Sequence, residues 1–374
     1  MKNRFVVFFL TVLILENLGC KKDNSVVPSN WDLSGKIVFN PQRGGLSGIY
    51  VVDLNSSALS LLPVVTNGDE PRVNSDGTEI AYSGSLPGMI DIFKVNLTDN
   101  IPTNLTPSSS FTDSWPDWSP DGSSIVFNRV IYHPTIKVAL YVMNHDGNNL
   151  RIVTDTASLQ ASVMPRWSPD GSTIAFVGRL SSKPPFSYSL YFTSSDGSNQ
   201  VLQDLVGDRL PSSLPSWSQD SRKIAYEKIG EAIYDTTGKF IGTTGGLFVL
   251  DIVSRVFQKI SVGGSQITPQ GSSWLSDGRL ICVGMNTATN SYEVYAVSLS
   301  NSLDTKLLAK GFKTLPATTP SPDGKHVAIF GTANQDKTFA LYVVGTDGTG
   351  FQKLKDIDDQ KTFIVNWQYC QWIK

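Results

Sequence analysis

The sequence predicts an all-β fold: a seven-bladed β-propeller of four-stranded antiparallel blades, with six blades as the alternative count. Three observations predict it. Trp-Ser-Pro-Asp-Gly stands unchanged at 118–122 and 167–171, with looser copies at 73–77, 217–221, 274–278 and 320–324. Their aspartates, Asp76, Asp121, Asp170, Asp220, Asp277 and Asp323, recur every 45 to 57 residues, a period that points to a propeller or another repeat array. Finally, 31 Gly and 20 Pro stand against only 17% charged residues, and long Ala, Glu, Lys and Leu stretches are missing, which favours strands and turns.

In chain order, the first element is a leader. Lys2 and Arg4 precede an apolar run from Phe5 to Leu15, broken only by Thr11. The run suits a signal peptide and falls well short of the ~20 residues that span a bilayer. Gly19-Cys20 then resembles a bacterial lipobox, which implies cleavage before Cys20 and lipidation of its thiol. Asn17 stands where a lipobox usually has Leu, so ordinary signal-peptidase cleavage stays the alternative. Residues 1–19 are read as signal peptide, 20–31 as lipidated cysteine and tether, and 32–374 as propeller. Several acyl chains on one cysteine would anchor the chain stably to a membrane. The lipobox resemblance implies outer-membrane sorting, because Lys21 rather than Asp follows the cysteine. Lys21-Lys22-Asp23 also resembles surface-export signals, which leaves both faces of that membrane open.

The tether leads into Lys-Ile-Val-Phe (36–39), Ile49–Leu54 and Leu59–Leu62, which read as strands two to four of a unit without its first. Each Asp-Gly copy that follows opens a complete unit. In Ser-Pro-Asp-Gly, proline presets the first turn residue, aspartate suits the bridge region, and glycine takes the left-handed conformation that closes a three-residue hairpin. All six aspartates are therefore read as structural turns. Behind each turn comes a short apolar strand such as Ile-Ala-Phe at 174, a variable loop, and a second strand such as Leu-Tyr-Val-Met-Asn at 140. A further turn and a last strand complete the four-stranded pattern. Trp118, Trp167, Trp217, Trp274 and Trp367 end the innermost strands, where a large flat side chain fills the gap between blades. The closing segment, 363–370, reads as the first strand missing at the start, so the termini join in one composite blade and no sheet edge is left open.

Together, Trp-Ser-Pro-Asp-Gly, Ile-Ala-Phe, Leu-Tyr-Val and the second Asp-Gly resemble the repeats of the TolB-like propeller family over about residues 32–374. The resemblance implies a bacterial-envelope protein that binds a protein or peptide partner. Two departures stand out. The TolB propeller has six blades, and its N-terminal α/β domain has no counterpart in the short tether.

Blade geometry sends the Asp-Gly hairpins to one face and the long loops, 40–48, 83–91, 128–139, 178–189, 227–246, 284–293 and 331–339, to the other. Long loops on a rigid scaffold are the default place for binding. Arg129, Tyr132, His133, Arg179, Lys183, Phe186, Tyr188, Tyr234 and Tyr292 are the candidate partner-binding residues there, since aromatics and arginine favour interface anchors. Packing of these side chains as loop plugs is the alternative. A second candidate is the polar residue before each tryptophan position: Arg72, Asp117, Arg166, Ser216, Ser273, Thr319 and Asn366. It predicts a polar ring around a central channel, either as solvent lining or as a site for a peptide tail or small ligand.

Charge and motifs exclude other classes. Lys plus Arg total 31 and Asp plus Glu 33, for a net charge of −2, which is no nucleic-acid footprint. His133, His145 and His326 fall on different units, which argues against a multi-histidine metal site. Asp356, Asp358 and Asp359 lack the order of a calcium loop. No Gly-x-Ser-x-Gly elbow or phosphate-cradling loop occurs. No metal, cofactor or catalytic residue is expected, and a monomeric non-enzymatic scaffold is the reading. A carbohydrate-binding or polysaccharide-lyase-like propeller is the alternative. Cys282 and Cys370 read as buried hydrophobes, with pairing left open.

Overall fold

The computed structural model describes residues 33–40, 48–55, 61–65, 67–85, 89–108, 110–180, 187–207, 210–211, 213–234, 236–237, 240–262, 267–299, 304–336, 338–358 and 370–374. Among them the chain is all-β and propeller-like, built of strands that pair with their neighbours in sequence. The first three are β1 (Lys36–Phe39), β2 (Ile49–Asp53) and β3 (Leu61–Val65). A second sheet holds β4 (Gly68–Val73), β5 (Glu79–Ser85), β6 (Ile90–Asn96) and β7 (Pro102–Asn104). Next come β8 (Thr112–Trp118), β9 (Ser124–Ile131), β10 (Lys137–Asn144), β11 (Arg151–Ile152), β12 (Leu159–Trp167), β13 (Thr173–Leu180), β14 (Tyr188–Ser194) and β15 (Val201–Gly207), all in one sheet. β16 (Ser216–Trp217) and β17 (Lys223–Lys228) pair on with β20 (Gly246–Asp251) and β21 (Val256–Lys259), while β18 (Ala232–Tyr234) and β19 (Phe240–Thr243) form a separate hairpin between them. Two more sheets follow, β22 (Ile267–Trp274), β23 (Leu280–Asn286), β24 (Ser291–Val297) and β25 (Thr305–Phe312), then β26 (Ala317–Pro320), β27 (His326–Gly331), β28 (Phe339–Gly345) and β29 (Gln352–Asp358). The last strand, β30 (Gln371–Ile373), returns to the first sheet in the order β3-β2-β1-β30.

The sheets are thus five of four strands, one of eight and a two-stranded hairpin, in place of seven separate four-stranded blades. The eight-stranded sheet arises because β10 and β12 touch through one parallel pair, Val138↔Ala161.

The expected closing strand at 363–370, with Trp367, lies outside the described residues except for Cys370. The strand that pairs with β1 is β30, in the register Trp372↔Ile37. Trp372 occupies the same register position as Trp118 opposite Ile125 and Trp167 opposite Ile174, and its indole N–H donates to Ser34 O at 2.9 Å.

The hairpin turns carry the chemistry that the repeat predicts, with one difference in length. Ser119 N–H donates to Ser124 O, so the loop holds the four residues Pro120 to Ser123 instead of three. Gly122 sits at φ +71° and its N–H donates to Ser119 O at 2.9 Å. Asp121 Oδ1 accepts from Ser119 Oγ at 2.5 Å and from Ser123 N–H at 3.1 Å. Asp170, Asp220 and Asp323 repeat the bond to the serine two residues earlier, at 2.6, 2.6 and 2.5 Å. Asp76 and Asp277 accept from the backbone two residues on, at Thr78 and Arg279. These bonds hold all six carboxyls below their ordinary value, because hydrogen bonds to the charged form favour it. Ser221 stands where the other copies have glycine and adopts φ +57°. Its hydroxyl accepts from Asp170 N–H at 3.0 Å, a neighbour-to-neighbour bond that glycine does not make.

Apolar side chains fill the gaps between adjacent sheets. Val38, Ile49 and Val51 pack on Ile80, Tyr82 and Phe93. Ala175, Leu190 and Phe192 pack on Trp217, Ile224 and Tyr226. Phe39 and Tyr50 pack on Phe330 and Leu341, bringing the first sheet against that of β26–β29. Cys370 lies in that last cluster and Cys282 in another, and both thiols are free and buried. Burial pushes the Cys282 thiol up to about 12 and raises Cys370 as well.

Candidate functional site

The innermost strands β4, β8, β12, β16, β22, β26 and β30 all line one cavity of about 410 Å³. Arg72, Asp117, Arg166, Ser216 and Ser273 are on its wall, together with Thr318 and Gln371. Thr319 lines an adjoining cavity with Gln371. Asn366 lies outside the described residues, and the register of β30 puts Gln371, the residue before Trp372, at the seventh position. Trp367 is the tryptophan expected here from the sequence, and Trp372 was not weighed.

These positions also tie neighbouring units together. Trp118 Nε1 donates to Arg72 O at 2.9 Å, Trp217 Nε1 to Arg166 O at 3.1 Å and Trp274 Nε1 to Ser216 O at 2.9 Å. Elsewhere the polar side chain accepts instead. Asp117 Oδ2 takes Trp167 N–H at 2.8 Å, Thr319 Oγ1 takes Trp372 N–H at 3.1 Å, and Gln371 Oε1 takes Val73 N–H at 2.8 Å. Pro320 stands at the tryptophan position after Ser273 and has no N–H to give. Ser273 Oγ is accordingly buried without a hydrogen-bond partner. The polar ring therefore has an architectural reason beside any binding one.

A recurrent β-bulge aims these residues inward. Glu70, Trp115, Met164 and Gly271, each two residues before a ring position, have φ of 57°, 55°, 58° and 62°. The register shifts at the same places, and bulges bend a strand and re-aim its side chains.

Charge is concentrated on one side of the cavity. Asp117 lies 3.8 Å from Arg72 Nε and 3.3 Å from Arg166 Nη1. Burial lifts the Asp117 carboxyl to about 6, against the pull of Arg72 and of the Trp167 N–H. Glu70, which the sequence did not single out, is half-buried and accepts from Ser83 Oγ at 2.5 Å and Trp115 N–H at 2.7 Å. Burial lifts it to about 7, with both hydrogen bonds opposing.

The long-loop candidates are dispersed. Arg129 is a correction: it is buried, not exposed. Its Nε and Nη2 each donate to Asp113 at 2.7 Å, and its guanidinium lies over Phe111, Phe127 and Tyr141 at 4.7, 5.5 and 5.1 Å. Asp113 pairs directly across from it in the β8–β9 register, which is how the strand end accepts a charge. Tyr292 is half-buried against the core, and Arg179 lies over the Tyr188 ring at 5.7 Å. Lys183, Phe186 and the side chain of Tyr234 lie outside the described residues, as does Cys20. Tyr132 and His133 are exposed at the β9–β10 tip with Ile136, at 37% for Tyr132 and 61% for Ile136. Tyr132 Oη is 2.9 Å from Thr112 Oγ1. His145 is exposed and His326 buried. Among the described residues no group of three or more His, Cys, Asp or Glu is placed to hold a metal ion.

No family model matches the chain. An uncharacterized protein of Agrobacterium fabrum is 28% identical over 144 residues, which cover 37% of this chain and 45% of that protein, so the match spans under half of the relative. Solved structures of the same fold are more numerous. Oligogalacturonate lyase from Vibrio parahaemolyticus superposes with TM-score 0.59 at 12% identity, over 88% of this chain and 90% of the other. A puromycin-hydrolyzing peptidase of Mycobacterium tuberculosis gives 0.60 at 15%, over 85% and 53%. TolB from Acinetobacter baumannii gives 0.50 at 14%, over 90% and 82%. Enzymes and TolB thus share this architecture, and at these identities the likeness is one of fold.

Proposed function

We propose that the protein is a non-enzymatic binding scaffold of the bacterial cell envelope, a TolB-like propeller held by a lipid on Cys20 at the outer membrane, which captures a protein or peptide partner on its long-loop face. The single observation that carries this reading is the β9–β10 tip. Tyr132, His133 and Ile136 project there above a base fixed by the bidentate Arg129–Asp113 pair. Exposed aromatic and apolar groups on a rigid support lose little entropy on docking, which is what an interface anchor requires.

The seven-blade count belongs to the same proposal. Splitting the eight-stranded sheet at its single parallel pair gives two four-stranded units, which with the five others make seven. The Val73–Gln371 bond and the packing of Phe39 on Phe330 support a ring that closes.

Capture from envelope extract by the wild-type protein and by the Tyr132→Ala/Ile136→Ala double variant tests the reading. A protein held by the first and lost by the second, at equal melting temperature, is the expected result. Retention of a glycan in place of a protein, or equal retention by both forms, would overturn it.

A further inference from the structure

The cavity among the innermost strands differs from the loop-tip site in place and in chemistry. Ser75, Ser119, Pro120, Ser168 and Pro169 line it, and these are residues of the Asp-Gly turns, so it lies toward the hairpin end of the channel and away from the long loops. Its volume falls in the range of about 300–1,000 Å³ typical of small-ligand sites. Among the described residues its charged lining is two guanidiniums, Arg72 and Arg166, and one carboxylate, Asp117. Glu70, on the strand of Arg72, also draws on that guanidinium, which leaves Arg166 as the guanidinium with a donor to spare.

The spare donor is built into the site. Arg72 and Arg166 reach Asp117 through the same oxygen, Oδ1, at 3.8 and 3.3 Å, while Oδ2 is committed to Trp167 N–H. Arg166 is buried, its Nη1 donates to Pro165 O at 3.0 Å, and its Nη2 is buried with no hydrogen-bond partner among the described residues. A buried guanidinium with a donor unused favours an anion, and the planar fork suits a carboxylate. The rest of the wall includes prolines, Leu214, Val73, Cys370, serine and threonine hydroxyls, Gln371 and the indoles Trp118, Trp167 and Trp217. Those indoles are wedged between units at 6–9% exposure and offer no free ring face on which a sugar stacks. We propose that this cavity binds a carboxylate, presented by the C-terminus of a peptide chain that enters from the Asp-Gly hairpin end.

The proposal goes beyond capture at the loop tip and stands or falls apart from it. Its test titrates the full chain with an N-acetylated Gly-Ala-Leu peptide, its C-terminal amide and galacturonate, read by tryptophan fluorescence and calorimetry. The free acid is expected to bind saturably and the amide at least tenfold more weakly. Arg166→Gln lowers affinity for the acid at least tenfold, and Tyr132→Ala leaves it unchanged. Asp117→Asn, which removes the competing negative charge, raises it several-fold, a direction that misfolding does not imitate. Equal binding of acid and amide, tighter binding of galacturonate than of the peptide, no saturable binding, or no change in either the Arg166 or the Asp117 variant would overturn the proposal.

Discussion

Replacing Trp217 by Phe should cost far more stability than the same change at Trp167, although the two indoles end equivalent strands and are equally buried at 9%. The structure supplies the reason. Trp217 Nε1 donates to Arg166 O in the neighbouring unit at 3.1 Å, whereas Trp167 Nε1 is buried with no acceptor. Both substitutions remove the same volume, so the packing loss largely cancels in the comparison. Trp217→Phe also forfeits a hydrogen bond with a net value of about 1 kcal/mol. Trp167→Phe instead removes a stranded buried donor, which relieves roughly 1–3 kcal/mol. Trp217→Phe should therefore be the less stable variant by about 2–4 kcal/mol. Urea denaturation followed by circular dichroism, with equal slopes for the two variants, gives the difference directly. Stabilities equal within about 0.5 kcal/mol, the usual scatter between independent sites, would refute the indole latch as a source of cohesion between units.

Other perturbations test separate parts of the structure. Asp113→Ala strands the buried Arg129 guanidinium and should cost roughly 3–5 kcal/mol, whereas Asp113→Asn with Arg129→Gln together should recover part of it; equal denaturation midpoints for wild type and Asp113→Ala would contradict the clasp. Glu70 binds a proton more tightly in the folded chain, about 7 against an ordinary 4.5. The folded state then holds more protons than the unfolded one between those values, so its contribution is full below about 4.5 and declines as pH rises to 7, by up to about 3 kcal/mol. Stability curves of wild type and Glu70→Gln should diverge in that window and in that direction. Cys282 and Cys370 should resist a thiol reagent at pH 8 in native buffer and react fully in urea, because burial raises both thiols; rapid native labelling would show that these strands are open.

Most of the architecture was legible in one sequence because its signals are local. A turn that needs Pro, Asp and Gly at fixed offsets writes itself into the chain at each use, and the apolar runs behind Asp121 and Asp170 became β9 and β13. Five of the polar positions singled out, Arg72, Asp117, Arg166, Ser216 and Ser273, come together on one cavity wall, and their fixed place next to the end of each innermost strand is a local signal of the same kind. What depended on distant partners was not. Arg129 looked like an exposed anchor because a strand-end arginine usually faces water, and only Asp113 across the ladder makes its burial tolerable. An aspartate outside the repeat and opposite that arginine was the available signal. Gln371 was missed since its place before Trp372 is defined by pairing with Ile37, more than three hundred residues away. The one contact that merges β10 and β12 into a single sheet leaves no trace in composition. The ring residues pointed to a channel, but the part that serines and prolines of the Asp-Gly turns play in its wall depends on how neighbouring units meet.

Repeated aspartates that serve architecture and a loop tip that captures the partner, as proposed above, are separated directly by one paired capture measurement. Asp170→Ala and Tyr132→Ala/Ile136→Ala are compared with wild type for melting temperature and for affinity toward the partner that the wild type retains. The predicted result is a lowered melting temperature with unchanged affinity for Asp170→Ala, and unchanged melting with lost affinity for the loop-tip variant. Lost affinity in a fully folded, thermally unaltered Asp170→Ala protein would contradict the architectural role of the aspartates.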